Sequence, residues 1–148
     1  MQQQKRLICL VLLTTVFSIG HHVDHVIRGN HVGWPLIPQI TPFTYSLGFY
    51  PVIALGLYLY LRGRTAPGFW ALLAAGGFFF VGLLHFGPLA LEPPADILAP
   101  YSSALAGYAA LGWLVAFLIL LASSSLYAFR LWRQAGVRDN QAPMRSNR

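Results

Sequence analysis

The chain has 148 residues, of which 56% are hydrophobic and only 9% are charged. Soluble domains carry about 25% charged residues because their surface faces water, so this composition excludes an ordinary soluble domain and indicates a membrane protein. The net charge of +6 indicates a nucleic-acid partner only where the basic residues gather on one water-facing surface, so their positions along the chain decide that question.

Four apolar runs predict four transmembrane helices, since about 20 residues of helix cross a hydrocarbon core of roughly 30 Å. The predicted spans are residues 7–27, 43–61 with a kink at Pro51, 69–91 and 105–129. Because the loops between them are short, we expect residues 1–133 to form one domain, an all-α bundle of four membrane helices.

The first span has an alternative interpretation. Lys5 and Arg6 precede an apolar stretch that ends at Gly20, which also fits a signal peptide cleaved after that glycine. We favour the uncleaved helix, because the helical pattern continues to residue 27 and then reaches the length of a full span.

Nine of the ten basic residues lie on the side of the two termini, and Arg28 alone lies on the other side. The positive-inside rule therefore predicts a multi-pass protein of the cell membrane with both termini in the cytoplasm. Residues 134–148 are predicted to be a disordered basic cytoplasmic tail that contacts anionic lipids. The positions of the basic residues thus indicate the orientation of the protein in the membrane. We expect membrane lipids rather than nucleic acid as partners.

All five histidines lie on the side opposite the termini, near the outer ends of the first and third spans. They are His21, His22, His25, His31 and His85. His21 and His25 are four residues apart and share one helix face, while His22 points elsewhere. At 1.5 Å per residue, His21 lies about 21 Å above the start of its span and His85 about 24 Å above the start of its own. The three imidazoles of His21, His25 and His85 are therefore expected at the same depth.

Three imidazoles at one depth predict a transition-metal site formed by His21, His25 and His85. Asp24 is predicted to be a fourth ligand or a hydrogen-bonding partner of one imidazole. Imidazole and carboxylate ligands suit zinc, iron or copper, and a haem between the first and third spans is the runner-up. A pH-sensitive histidine relay is a further alternative.

For the remaining polar residues near the outer face we expect no role in metal binding. We expect His22, His31 and Arg28 to contact lipid headgroups at the interface. Glu92 and Asp96 follow the third span, and we expect them to be solvated in the loop rather than to bind a metal.

Two functional hypotheses follow, and the sequence leaves open whether the protein is an enzyme. The first is a metal- or haem-binding membrane protein with extracytoplasmic chemistry on a lipid or small molecule. The second is a non-catalytic small subunit or assembly factor that docks a membrane-protein partner, or a second copy, through small residues spaced four apart. These pairs are Ala71 with Ala75, Ser103 with Gly107, and Ala106 with Ala110.

Overall fold

The structure, a computed structural model, describes residues 2–29, 40–88 and 90–145, with side chains for all of these except residues 42 and 138–145. The described residues form six helices. They are α1 (Gln2–Arg28), α2 (Pro42–Ser46), α3 (Phe49–Leu61), α4 (Pro67–Phe86), α5 (Pro94–Leu98) and α6 (Ala104–Arg145). Four segments are long and apolar enough to cross a membrane, namely α1, α2 with α3, α4, and α6. The predicted all-α class and the four candidate spans are confirmed.

The helix bounds differ from the prediction where glycine and proline interrupt the chain. The second span is divided into α2 and α3, and Pro51 lies in the first turn of α3, where its missing N–H costs no helical hydrogen bond. α4 ends at Phe86 rather than at residue 91, because Gly87 is extended, with ψ 169°, and precedes a proline.

The last helix extends well beyond the predicted span. α6 continues from Ala104 to Arg145, through most of the segment that the sequence predicts to be a disordered tail. Residues 130–135 are mostly strong helix formers, so nothing in their composition ends the helix at residue 129.

α6 is the central helix, and it packs against α1, α4 and α5. Two apolar clusters fill the bundle. The cluster nearer the two termini, called the inner cluster, consists of Leu7, Val11, Tyr60, Trp70, Ala71, Ala128 and Leu131. The other cluster consists of Ile97, Leu114, Phe117 and Leu121. The opposite end of the bundle, where α1 and α4 end and α6 begins, is called the histidine end.

The contact between α1 and α6 is close because a glycine and two hydroxyl groups lie in it. A Cβ atom on Gly20 would lie 2.5 Å from the Trp113 ring, whose Nε1 donates a hydrogen bond of 2.9 Å to the carbonyl of Phe17. Nearer the termini, the Thr14 and Ser124 hydroxyls are hydrogen-bonded at 2.9 Å. These contacts fix the depth and rotation of α1, and therefore the positions of its histidines.

Candidate metal centre

Three buried imidazoles meet at the histidine end. The exposed fractions are 6% for His21, 8% for His25 and 2% for His85. One ligand atom from each of the three lies within 4.8 Å of the others, and this is the group of possible metal ligands found within the described part of the chain. The Nε2 atoms of His21 and His25 are 3.2 Å apart. In a tetrahedral zinc site with Zn–N bonds of 2.0–2.1 Å, ligand nitrogens lie about 3.3 Å apart.

Helix geometry brings these side chains together. His21 and His25 are one turn apart near the end of α1, and His85 lies in the last turn of α4. The ring centroid of His85 is 5.2 Å from that of His21 and 5.8 Å from that of His25. From α6, the Phe117 ring packs against His21 at 5.8 Å and closes one side of the group. The sequence-based expectation that these three imidazoles lie at one depth agrees with this arrangement.

Glu92 contacts two of the three histidines. Its backbone carbonyl accepts a hydrogen bond of 2.8 Å from His85 Nδ1, and its carboxylate Oε2 lies 3.3 Å from His25 Nδ1. A carbonyl oxygen only accepts, so the proton of His85 is on Nδ1 and the lone pair is on Nε2. A carboxylate beside His25 Nδ1 favours the same tautomer there. In metal sites, such partners on the distal nitrogen orient the ligating imidazoles.

Glu92 corrects an expectation from the sequence, which placed it in solvent. Its exposed fraction is 7%, because the chain folds back over the end of α4 after Gly87. The N–H groups of Leu91 and Glu92 both donate to the carbonyl of Leu84, at 3.0 and 3.1 Å. This turn satisfies an unpaired carbonyl at the helix end and carries Glu92 onto the histidines. Asp96, in contrast, is exposed as expected.

Asp24 belongs to a neighbouring ion-pair cluster rather than to the imidazole group. It accepts a hydrogen bond of 2.8 Å from Arg28 Nε and another from the Tyr101 hydroxyl. The Arg28 side chain has an exposed fraction of 0%, and its NH2 lies 3.7 Å from Glu92 Oε2. Arg28 therefore points into the protein and not toward lipid phosphates. Sequence reasoning missed Tyr101, because it lies 77 residues from Asp24 in a loop without a motif.

Burial shifts the pKa of two groups in the loop that covers the site. Burial raises the pKa of the Glu92 carboxyl to about 7, and the positive charge of Arg28 only partly opposes this. Burial and the hydrogen bond to the Asp24 carboxylate raise the pKa of Tyr101 to about 12. Tyr101 therefore stays a neutral hydroxyl donor, while burial makes the charged form of the Glu92 carboxyl less favourable than it is in water.

His22 lies beside the imidazole group, with its ring centroid 6.1 Å from that of His21, but its ring nitrogens bond to other partners. Its Nδ1 lies 2.7 Å from the Tyr50 hydroxyl and 2.9 Å from the carbonyl of Ser18, and its Nε2 lies 2.8 Å from Ser46 Oγ. It links α1 to α2 and α3, so its polar atoms are bonded within the protein and not to lipid headgroups. His31 lies outside the described residues.

A cavity of about 130 Å³ extends from the imidazoles toward the middle of the bundle. All three histidines and Glu92 line its outer end, and Val11 and Trp70 line its inner end. Ligand pockets of this kind are mostly apolar with a few convergent polar groups. The geometry therefore combines a cluster of possible metal ligands with space for a second molecule beside them.

Comparisons of the chain with protein-family models, with curated proteins and with solved structures found no match. Functional inference therefore starts from the side chains of the site itself.

Proposed function

We propose that this protein is a membrane protein that binds one divalent transition-metal ion, zinc foremost, through His21, His25 and His85. The observation that carries the proposal is the convergence of three buried imidazoles whose ligand atoms lie within 4.8 Å of one another. The two contacts of Glu92 support it, because they favour protons on Nδ1 of His25 and His85, so that the Nε2 atoms carry lone pairs. The hydrogen bond between the Nε2 atoms of His21 and His25 would be replaced when both bind an ion. Buried nitrogens that are so close together and so oriented suit a shared cation.

The ligand set favours zinc, with copper and iron as the next candidates. Three neutral imidazoles bind these ions well, and Cys9, the single cysteine, is exposed far from the site. Zinc sites with three protein ligands keep a fourth position for water or a substrate, and here that position is assigned to the cavity that the histidines line. When bound, such an ion supplies Lewis-acid chemistry to an oxygen ligand.

The haem alternative fits the same side chains less well. A porphyrin held between α1 and α4 by a histidine from each helix would have one imidazole on each face of its plane. His21 and His25 instead lie with their Nε2 atoms 3.2 Å apart, so the second imidazole would occupy the volume of the macrocycle. A single ion can bind all three imidazoles at once, and we therefore favour a metal ion over haem.

The charge distribution supports placing the site on the extracytoplasmic side. Eight of the nine basic residues that the structure describes, including Arg62 and Arg64 in the loop between α3 and α4, lie toward the end of the bundle opposite the histidines. By the positive-inside rule this end, with both termini, faces the cytoplasm. Any chemistry on a lipid or small molecule at the metal would then take place at the outer leaflet.

The competing hypothesis of a docking subunit relied on small residues spaced four apart. Two of these pairs contribute to packing within the chain. Gly107 lies against Leu98, since a Cβ atom there would lie 3.2 Å from the leucine side chain. Ala71 is buried, and its carbonyl accepts a hydrogen bond of 2.9 Å from Ser125. These pairs therefore join helices of one chain, and the metal site remains the better supported function.

The proposal is tested by metal analysis of the purified protein and of three variants. We expect close to one zinc, copper or iron per chain in the wild type, and tetrahedral visible bands after loading with Co²⁺. His21→Gln and His85→Gln should lower the metal content to background. His22→Gln is the matched control, since its imidazole has a similar hydrogen-bonding environment outside the group, and it should retain the metal.

Two results would contradict the proposal. The first is a wild-type protein that purifies without metal and binds no added zinc, copper or iron. The second is an equal loss of metal in all three variants while each retains its helical circular dichroism. That result would show that metal binding does not depend specifically on the imidazoles of the group.

A further inference from the structure

The cavity beside the imidazoles has a polar outer end and a mainly apolar remainder. Ser18, His22 and Ser46 line the outer end together with the imidazoles and Glu92, and they belong to the hydrogen-bonded network that joins α1 to α2 and α3. The apolar part of the wall includes Phe49, Ile53, Leu73, Ala74, Phe80 and Val81. The volume of about 130 Å³ is close to that of an apolar protein cavity of about 150 Å³ that binds benzene. A ligand enclosed here therefore has about six carbon atoms beside its polar group.

Four of the hydroxyl groups on the wall donate their hydrogens within the protein. Thr14 and Thr15 each donate at 2.8 Å to the backbone carbonyl four residues earlier in α1, and Ser46 donates at 2.7 Å to the carbonyl of Phe43. Because the hydrogen of Thr14 is used in this way, Ser124 is the donor in the bond of 2.9 Å between their two hydroxyls. What these groups still offer a ligand is oxygen lone pairs, which accept hydrogen bonds.

The formal charge on the wall is negative. Of the described residues that line the cavity, histidines aside, Glu92 alone has a charged side chain. Arg28 is not part of this wall, but its NH2 lies 3.7 Å from Glu92 Oε2, and its positive charge favours the ionised carboxylate, which accepts hydrogen bonds and donates none. An anionic ligand would therefore lie beside a like charge, and a cationic ligand would lie beside the proposed metal ion. An uncharged ligand with a hydrogen to donate avoids both.

The least tightly packed part of the wall belongs to α3. Phe49 and Ile53 of that helix line the cavity, but α3 packs less closely on the rest of the bundle than α1 and α4 pack on α6. Other side chains of α3, including Val52 and Leu55, are exposed and apolar, as expected for a helix that faces lipid. Entry of an uncharged, lipid-soluble molecule between α3 and its neighbours therefore requires the least repacking.

We infer that the cavity binds a small uncharged alcohol of about six carbon atoms, whose oxygen takes the open position of the metal site and whose hydroxyl hydrogen is donated to Glu92. The inference rests on the proposed function, because the ion is what holds the oxygen. The volume of the cavity limits the size of the ligand, and the mainly apolar wall selects its hydrocarbon part. Hydroxyl groups and a carboxylate that accept hydrogen bonds rather than donate them select a hydroxyl group over a carbonyl or a carboxylate.

Matched substitutions on α4 test where the ligand binds. Val81 lines the cavity one helical turn before His85, so Val81→Phe fills the space beside the imidazoles. Leu83→Phe is the control, because it places the same ring at an exposed position two residues away. Leu84→Phe, also at a position that lines the cavity, is a second blocking variant for the case that Val81→Phe does not fold.

The measurement is the shift of the visible bands of Co²⁺-saturated protein in nanodiscs as cyclohexanol, cyclohexanone or cyclohexanecarboxylate is added, corrected for partition into lipid. The three ligands share one ring and differ in the oxygen group. We expect cyclohexanol to shift the bands and cyclohexanone to bind at least about tenfold more weakly, because it donates no hydrogen bond to Glu92. Val81→Phe should weaken cyclohexanol binding at least about tenfold, and Leu83→Phe should leave it unchanged. Glu92→Gln should narrow the preference for cyclohexanol over cyclohexanecarboxylate, because it removes the negative charge.

Each contrary result has a separate meaning. Tetrahedral Co²⁺ bands that cyclohexanol does not shift, or equal effects of Val81→Phe and Leu83→Phe, would overturn the alcohol site and leave the metal site standing. Cyclohexanone binding as tight as cyclohexanol binding would overturn the hydrogen bond to Glu92. Cyclohexanecarboxylate binding tighter than cyclohexanol binding would overturn the choice of an uncharged ligand. Protein that binds no Co²⁺ would overturn the proposed function, and the placement of an alcohol oxygen on the ion with it.

Discussion

Glu92→Gln separates the role of the Glu92 carboxylate from that of its backbone. The backbone carbonyl holds His85 Nδ1 at 2.8 Å, and the side-chain oxygen Oε2 lies 3.3 Å from His25 Nδ1. The substitution keeps the backbone contact and the shape of the side chain and removes only the negative charge beside His25. We therefore expect metal binding to be weakened and not abolished.

The magnitude follows from these distances. Loss of the carboxylate partner of a metal-ligating histidine reduces metal affinity by about 10- to 100-fold. A separation of 3.3 Å is at the long end for a charge-assisted hydrogen bond, and the glutamine oxygen can still accept from Nδ1. The expected loss is thus near the lower limit, about tenfold, which corresponds to about 1.4 kcal/mol.

The assay is a competition titration of zinc against a chromophoric chelator, with the protein in nanodiscs. Asp96→Asn is the matched control, because it also neutralises an acidic residue that follows α4, but at an exposed position, and its zinc affinity should equal that of the wild type. A Glu92→Gln affinity within twofold of the control would refute the role of the carboxylate. A complete loss, as in His85→Gln, would show that the side chain does more than orient His25.

Two further predictions concern the contact between α1 and α6, and unfolding in denaturant measures both. Gly20→Ala places a Cβ atom 2.5 Å from the Trp113 ring and should destabilise the protein by about 1–3 kcal/mol. Gly112→Ala, in open space on α6, should stabilise it by up to about 1 kcal/mol through helix propensity, and the same sign for both changes would contradict the close contact. Ser124→Ala removes the hydroxyl bonded to α1 and should cost about 0.5–1.5 kcal/mol, whereas exposed Ser123→Ala should be neutral. Equal effects of the two serine changes would exclude a contribution from that hydrogen bond.

The parts of the fold that follow from local periodicity were predictable from the sequence. Apolar runs of the length of a span gave the helices, and the four-residue spacing of His21 and His25 placed both on one face. His85 was found by counting its height along its own span, which works because a membrane fixes the depth of every helix. These inferences need no knowledge of contacts between helices.

The parts that depend on the return of the chain after a helix were not predictable. Glu92 reaches the histidines only because Gly87 ends α4 early and the following turn bonds back to Leu84. Asp24 and Tyr101 meet across 77 residues, through the relative rotation of α1 and the start of α6. Charge and spacing along the sequence made Asp24 the expected acidic partner of the imidazoles. In the folded chain Asp24 pairs with Arg28, and Glu92 is the acidic residue that contacts an imidazole.

The imidazole group lies between two helices that pack on α6 more than on each other. An ion bound there would link α1 to α4. Through its bonds to His25 and His85 it would close a loop of 60 residues of the chain. By the chain-entropy relation for cross-links, such a closure lowers the conformational entropy of the unfolded chain, which raises the free energy of unfolding by about 4 kcal/mol. Both helices also line the cavity beside the imidazoles, so a bound ion would restrict changes in the size of that cavity.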